Sequence, residues 1–281
     1  MSFLDRIREC NAHDMSHFRP FVVGGCKVGW LKRPFVDELA AFPKLFDIGD
    51  DAVLLAPTLD TPEARTAAVD GVLRGLAERG VVGGWRDEPY PVSLGWGQEP
   101  LMLIERAAAA EFGVCAYGVH MNGYVRRNDG IHMWIGRRAF DKPTYPGMLD
   151  NLVAGGQPYG ISIEDNLVKE CAEEADIPEA LARRAVPVGA VTYAMETDEG
   201  LKPDVQFVYD LELPASFTPR NTDGEIQEFM LWPIERVMEV VSGTAEFKFN
   251  CNLVIIHFLV QHGLIGPEHP DYVEIVRGLH R

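Results

Sequence analysis

Three glutamates on one turn of a helix are the feature that most constrains what this chain can become. They lie in the segment Gly155–Ile177, GGQPYGISIEDNLVKECAEEADI. Ser162, with Asp165 three residues on, forms a variant capping box that opens a helix, and Pro178 lies just beyond its end. Ile163, Leu167 and Cys171 give that helix an apolar side. Glu170, Glu173 and Glu174 stand at i, i+3 and i+4, so their carboxylates converge on one face. Like charges at that spacing repel and weaken a helix, so the arrangement gains from a counter-charge. A hard divalent cation with oxygen ligands, Mg²⁺ or Mn²⁺, supplies one. Ahead of the helix, Gly155 and Gly156 let backbone approach a ligand closely. A small-molecule diphosphate bridged to the protein through metal suits these features, because the metal neutralises its oxygens and polarises phosphorus for attack by water. The plain alternative is a solvated acidic helix face.

The rest of the chain supplies strands and helices around this segment. A hairpin is expected over residues 114–125 and 131–139, turned at Asn128-Asp129-Gly130, followed by a short strand at LVAGG (152–156). Further strands are expected at 186–196, 204–213 and 226–233, and two closing helices at 233–243 and 249–263. Upstream stand a short helix (FLDRIREC, 3–10), a strand–turn–strand run with Gly24-Gly25, and a strand at 51–57. An amphipathic helix over 61–79 follows, capped by Thr61, with Ala68, Val72, Leu73 and Leu76 as its stripe. EPLMLIERAAAAEF is then expected to be an Ala-rich helix ending at Gly113. The class is α+β: a mixed sheet sandwiched between helices in residues 113–281, preceded by a smaller α+β N-terminal domain in residues 1–112 that sets specificity.

Charge and cysteine usage narrow the partners. Lys plus Arg number 26 against 42 Asp plus Glu, a formal net charge of −16. So acidic a chain disfavours broad binding to nucleic acid or to anionic membranes. Cys10, Cys26, Cys115, Cys171 and Cys251 are dispersed without a close pair, which predicts free thiols in a reducing compartment. No secretory pattern opens the chain, and its most apolar stretch, 253–260, is shorter than the roughly 20 residues of a membrane span. A cytoplasmic monomer or homodimer is the expectation. His120, His132 and His257 sit among apolar residues and are expected to pack.

The glutamate segment resembles the Nudix box. Gly155 falls on its first glycine, Lys169 on its arginine, Glu170 on the glutamate after it, Cys171 on the apolar position, Glu173 and Glu174 on the glutamate pair, and Ile177 on the last apolar position. Three residues depart from the pattern. Ile161 replaces a glutamate that supports the metal site, with Glu164 and Asp165 the nearby carboxylates. Lys169 keeps the charge of arginine without its fork. Asp176 replaces a glycine at the helix exit, where Asp tolerates the left-handed conformation.

The resemblance implies the Nudix α/β/α sandwich and metal-dependent hydrolysis of a diphosphate linkage, with Glu170, Glu173 and Glu174 as metal ligands. It also implies a carboxylate beyond the box that binds metal or activates water; Glu225 and Glu228, in GEIQEFMLWP, are the candidates, Glu225 first. Across the whole chain, FVVGGCKVGWL, GVHMNGYV, KECAEEADIP and DVQFVYDLELP resemble Nudix proteins related to thiamine pyrophosphokinase. That implies thiamine diphosphate, or its oxidised oxo and oxy forms, hydrolysed to the monophosphate. Arg138 or Lys142, from the basic cluster around the hairpin, would grip the phosphates, and Gln206 with Tyr209 would line the cleft. Trp30, Trp96 and Trp134 are either core or a sandwich for an aromatic ring. The rival readings are a Nudix-fold binding or regulatory protein without turnover, and an enzyme like isopentenyl diphosphate isomerase.

Overall fold

The computed structural model describes residues 2–142 and 144–281. Its first helix, α1 (Phe3–Cys10), opens on a full capping box between Ser2 and Asp5. There follow β1 (Phe18–Val23), β2 (Cys26–Lys32), α2 (Arg33–Leu39), β3 (Phe46–Ile48), β4 (Val53–Leu55) and the long helix α3 (Pro62–Glu78). The four strands form one sheet in the order β2-β1-β4-β3, with only the β1–β4 pair parallel. Gly24 and Gly25 both take positive φ and make the β1–β2 turn. α3 is capped by the Thr61 hydroxyl, as its sequence predicts, and buries Val69, Val72, Leu73 and Leu76, with Val69 in the place expected for Ala68. β5 (Pro89–Val92) and β6 (Met102–Glu105) pair as a separate ribbon beside it.

The expected Ala-rich helix does not form. Its first half is β6, and Arg106–Ala108 make a single 3₁₀ turn, with the Glu105 carboxylate accepting the N–H groups of Ala107 and Arg86. The alanines are there for close approach, not for helix propensity. Ala108, Ala109 and Ala110 are buried, Ala110 C=O accepts Leu201 N–H, and Phe112 C=O accepts Trp30 N–H. A Cβ on Gly200 would overlap the Ala110 carbonyl, so this segment is threaded between two backbones where larger side chains have no room.

The larger sheet is built from β7 (Tyr117–Arg127), β8 (Gly130–Arg138), β9 (Leu149–Asp150), β10 (Val153–Gly156), and, after α4 (Ile163–Ala175) and α5 (Glu179–Ala182), from β11 (Val186–Glu196), β12 (Leu201–Glu212) and β13 (Ile226–Pro233). Its order is β11-β12-β7-β8-β13, with β10 added to β7 and β9 to β8. β12 and β7 run parallel and the other pairs antiparallel, so the sheet is mixed. α4 covers one face through Leu167, Cys171 and Ala175, against Val119, Met121 and Val153. The other face is covered by α6 (Ile234–Gly243) and α7 (Phe249–Gln261), with α8 (Tyr272–Gly278) behind them. This is the expected α+β sandwich of helix, mixed sheet and helix.

α1 belongs physically to this larger core, not to the small sheet: Phe3, Leu4, Ile7 and Cys10 are buried with α6, α7 and α8. A second core, around Phe21, Leu31, Leu73 and Phe112, holds the small sheet, α2 and α3 together. No helix among the described residues is long and apolar enough to cross a membrane.

Candidate active site

α4 is set by its two ends. The Ser162 hydroxyl accepts the Asp165 N–H, and Asp176 leaves the helix in the left-handed region (φ 54°), where the sequence anticipates it. Thr222 bonds the carbonyls of Ala172 and Glu173, so the loop after β12 closes the exit. The loop before α4 is stapled by Asn166, whose Nδ2 donates to Gly156 C=O (2.8 Å) and to Gln157 Oε1 (3.1 Å). Gln157 Nε2 in turn donates to Ile161 C=O.

On this frame the three glutamates differ sharply in environment. Glu174 is buried and its Oε2 accepts Ala154 N–H at 2.8 Å. Its carboxyl is held well above the ordinary range: burial is the main cause, the Ala154 bond opposes it, and the charges of Asp150, Glu170 and Glu225 add to it. Glu170, 15% exposed, is raised by burial against the pull of Lys169. Glu173 is 49% exposed. Lys169 Nζ lies 3.2 Å from Glu170 and 3.0 Å from Glu173, so a single cation already spans two of the three. Gly155 and Gly156 sit in extended β10 without positive φ, so backbone conformation does not require glycine there. Space does. A Cβ on Gly155 would overlap the Glu170 carboxyl group, and one on Gly156 would overlap the Tyr90 hydroxyl.

Beside this cluster opens a cleft of about 260 Å³, lined by β7, β10, β11 and β12 and by residues of the small unit, among them Arg86, Tyr90 and Arg106. Its polar floor includes Asp204, which accepts the Tyr193 hydroxyl at 3.0 Å, and Gln206 and Asn250, which donate to the same hydroxyl. Burial lifts the Asp204 carboxyl to about 6, although Tyr193, Lys202 and Lys248 pull the other way. Tyr117, on the cleft wall, stacks with Phe207 and meets Trp96, which is 48% exposed.

The remaining residues singled out in the sequence fall into two groups. Glu174 feels the charge of Glu225, which stands just ahead of β13. Burial tends to raise Glu225, but its ion pair with Lys142, with Arg138 and Arg86 beyond, holds it below the ordinary value. Gln206 reaches the cleft, where a Cβ on Gly118 would overlap its amide oxygen. Glu228 instead pairs with Arg137 on the exposed side of the β8–β13 ladder. Glu164 and Asp165, the carboxylates nearest Ile161, are tied to Arg183.

Arg138 corrects the expectation of a phosphate ligand. It does not line the cleft: its guanidinium is engaged by buried Asp150 at 2.9 Å and by the carbonyls of Thr144 and Tyr145. Lys142 is engaged by Glu225. Trp134 is core and Trp30 lies under Lys27. Arg106, Arg86, Asp204 and Asn250 escaped the sequence reading. Only the Glu-Arg ahead of the alanine run hinted at Arg106, and it was absorbed into the expected helix.

His120, Asp150 and Cys251 also bring ligand atoms within 4.8 Å of one another. Their partners mark this as a polar knot of the core and not a cation site. Asp150 is drawn down to about 2 by Lys248, His120 and Arg138 in spite of its burial. Both ring nitrogens of His120 have side-chain partners, Asn151 and Asn250, and burial holds the ring neutral, at about 4.

A family model described as a domain of unknown function (DUF4743) matches residues 2–116. Over 288 residues the chain is 45% identical to Nudix hydrolase 20, chloroplastic, of Arabidopsis thaliana, covering 99% of this chain and 77% of that protein. Over 282 residues it is 46% identical to Nudix hydrolase 24, chloroplastic, of the same plant, with the same coverage of 99% and 77%. Among solved structures, the NUDIX domain of Shewanella oneidensis NrtR complexed with ADP ribose aligns at a TM-score of 0.43 and 13% identity, covering 54% of this chain and 90% of that one.

Proposed function

The chain belongs to the Nudix hydrolase family and is a pyrophosphohydrolase; from that premise we propose that its substrate is thiamine diphosphate or an oxidised (oxo or oxy) analogue, cleaved to the monophosphate. The observation that carries this reading is the cleft beside α4. It runs from the Gly155–Gly156 backbone, against which the Glu170 carboxyl lies, past Tyr90 and Tyr117 to a polar floor of Asp204, Gln206 and Asn250. That combination suits a small diphosphate whose organic part is a flat nitrogen heterocycle with hydrogen-bonding edges.

Glu170, Glu173 and Glu174 are the residues we assign to Mg²⁺ or Mn²⁺. Their fit rests on two features: one ammonium already bridges the first two, and Glu174 is buried facing the charges of Glu170 and Glu225, a repulsion that a divalent cation relieves. When bound, such a cation neutralises diphosphate oxygens and makes phosphorus more electrophilic. The chain's own groups do the rest. The absence of side chains on Gly155 and Gly156 lets the Glu170 carboxyl and the Tyr90 hydroxyl lie against the β10 backbone at the cleft. Glu225, kept ionised by Lys142, takes the proton of the attacking water as its oxygen bonds to phosphorus and the bridging P–O bond breaks. Glu228, paired with Arg137, takes no part.

All these groups lie on one chain, and the reading calls for neither nucleic acid nor membrane. The five free cysteines suit a reducing compartment, for which we propose the cytoplasm; both plant relatives are named chloroplastic. The test is turnover on a panel of thiamine diphosphate, its oxo and oxy analogues, nucleoside diphosphate sugars and dinucleotides, with Mg²⁺ and with Mn²⁺. Thiamine-type compounds should show the highest kcat/KM and yield monophosphate and phosphate. If only the nucleotide compounds react, the substrate proposal fails while the reaction class stands.

A further inference from the structure

A diphosphate brought up to α4 meets a surface short of available cations. Lys169 is held by Glu170 and Glu173, Lys142 by Glu225, Arg137 by Glu228 and Arg138 by Asp150. Farther along the cleft, Lys202 turns to Glu199 and Lys248 to Asp150. Beyond the charge that a divalent cation on the α4 glutamates would neutralise, further counter-charge for the phosphates is presented by the small unit.

Arg106 sits on the 3₁₀ turn after β6, outside the helix α4 that carries the glutamate cluster. Its guanidinium carbon nevertheless lies 3.1 Å from where a Cβ on Gly156 would stand. Its charge acts on Glu170, and it lines the cleft with 41% of its side chain exposed. Nη1 donates to Glu88 at 2.8 Å; among the described residues neither Nε nor Nη2 has a hydrogen-bond acceptor. Arg86 lines the same cleft from the same unit, with its side chain exposed and its charge acting on Glu225. Two guanidinium groups of the small unit therefore line the cleft, with Arg106 against the Gly156 backbone next to the Gly155 strand position that the Glu170 carboxyl covers.

We propose that the small unit is a phosphate clamp: Arg106, with Arg86 beside it, takes nonbridging oxygens of the substrate's diphosphate and completes a site whose metal-binding carboxylates lie on α4. This rests on the diphosphate reading above. It gives the small unit, which falls within the residues 2–116 that match a domain family of unknown function, a chemical task. It also explains Gly156, whose missing side chain leaves room for Tyr90 and for the Arg106 guanidinium against the strand. An arginine suits the task because its planar fork meets two phosphoryl oxygens at once.

The test uses the full chain and four variants, Arg106→Gln, Arg106→Lys, Arg86→Gln and Glu88→Gln. Each is measured by steady-state kinetics on thiamine diphosphate and by calorimetric titration of inorganic pyrophosphate in the presence of Mg²⁺, with thermal melts as a check of folding. Arg106→Gln should raise both KM and the pyrophosphate Kd roughly 10- to 100-fold, the loss of a charge-assisted phosphate contact, with a smaller change in kcat. Arg106→Lys should recover part of the affinity and Arg86→Gln should lose a smaller part. Glu88→Gln, which removes the ion pair and keeps the guanidinium, should stay near wild type. Unchanged pyrophosphate affinity in folded Arg106→Gln overturns the proposal, as does a Glu88→Gln variant with the same loss, which would make Arg106 a strut. Should Arg106→Gln fail to fold, unchanged affinity in both Arg106→Lys and Arg86→Gln overturns it. Wild-type protein that binds pyrophosphate but turns over no thiamine compound sinks the substrate reading and leaves the clamp in place; wild-type protein that does not bind pyrophosphate sinks the clamp.

Discussion

Gly155→Ala separates the site from the scaffold more cleanly than any other single change. Gly155 is extended, pairs with Val119 across the β10–β7 ladder, and has no positive φ, so the backbone accepts alanine without strain. The added methyl carbon would stand 2.6 Å from Glu170 Oε1, with other atoms of that carboxyl group nearer still. Ordinary contact begins at 3.4 Å, so the carboxyl group must retreat by more than about 0.8 Å, several times the roughly 0.2 Å latitude of a metal ligand. Glu170 can swing away at its flexible end, so the fold should lose no more than about 1 kcal/mol. The misplaced ligand should lower kcat/KM about 100-fold, equivalent to about 2.7 kcal/mol of transition-state stabilisation. Turnover with titrated Mg²⁺, alongside urea unfolding of the same preparations, reads both quantities. A variant with wild-type turnover and wild-type Mg²⁺ dependence would refute the placement of Glu170 in the metal site. A variant that simply unfolds would refute the claim that glycine is there for the carboxylate.

Three further changes probe other parts of the account. Arg138→Met leaves Asp150 buried beside one fewer cation and should cost about 3–5 kcal/mol in urea unfolding; unchanged stability with a raised KM would restore Arg138 as a phosphate ligand. Burial lifts the Glu111 carboxyl from 4.5 to about 7, and its Oε2 has no partner among the described residues. A raised acid favours folding below its unfolded value and loses that contribution as pH climbs through its folded one. Glu111→Gln should therefore match wild type below pH 4.5 and exceed it, by on the order of 3 kcal/mol, above pH 7. An offset that does not change with pH would contradict the assignment. Glu174→Gln keeps an acceptor for Ala154 N–H and removes a buried charge, so the metal-free variant should melt above wild type at neutral pH and lose the stabilisation that Mg²⁺ gives the wild type. A Mg²⁺ response that survives the substitution would remove Glu174 from the ligand set.

What the sequence discloses and what it hides follow from the range of the interactions involved. The limits of α4 are local: Ser162 caps its own third amide, and Asp176 turns out of the helix within one residue, so both are readable from the chain alone. The glutamate spacing is equally local, but periodicity does not tell that Glu174 is buried while Glu173 is half in water. That difference comes from β10 passing over one side of the turn. The alanine run misleads for the same reason. Four alanines score as helix until another backbone is placed against them, and Leu201 and Trp30 are distant in sequence. Arg106 is hidden with that run, because its relation to Gly156 exists only once the two units meet. Arg138 errs in the opposite direction. At the end of an exposed hairpin it looks available, and only the buried carboxylate of Asp150 shows that it is not.

The most direct measurement is ³¹P NMR of thiamine diphosphate incubated with the full chain, in Mg²⁺, in excess chelator, and with Glu174→Gln. The account predicts that the two diphosphate resonances give way to those of the monophosphate and inorganic phosphate in Mg²⁺ alone, and that chelator or Glu174→Gln stops the conversion. Hydrolysis that continues unchanged in chelator, or at the wild-type rate in Glu174→Gln, would contradict the claim that the α4 carboxylates hold the cation this reaction needs.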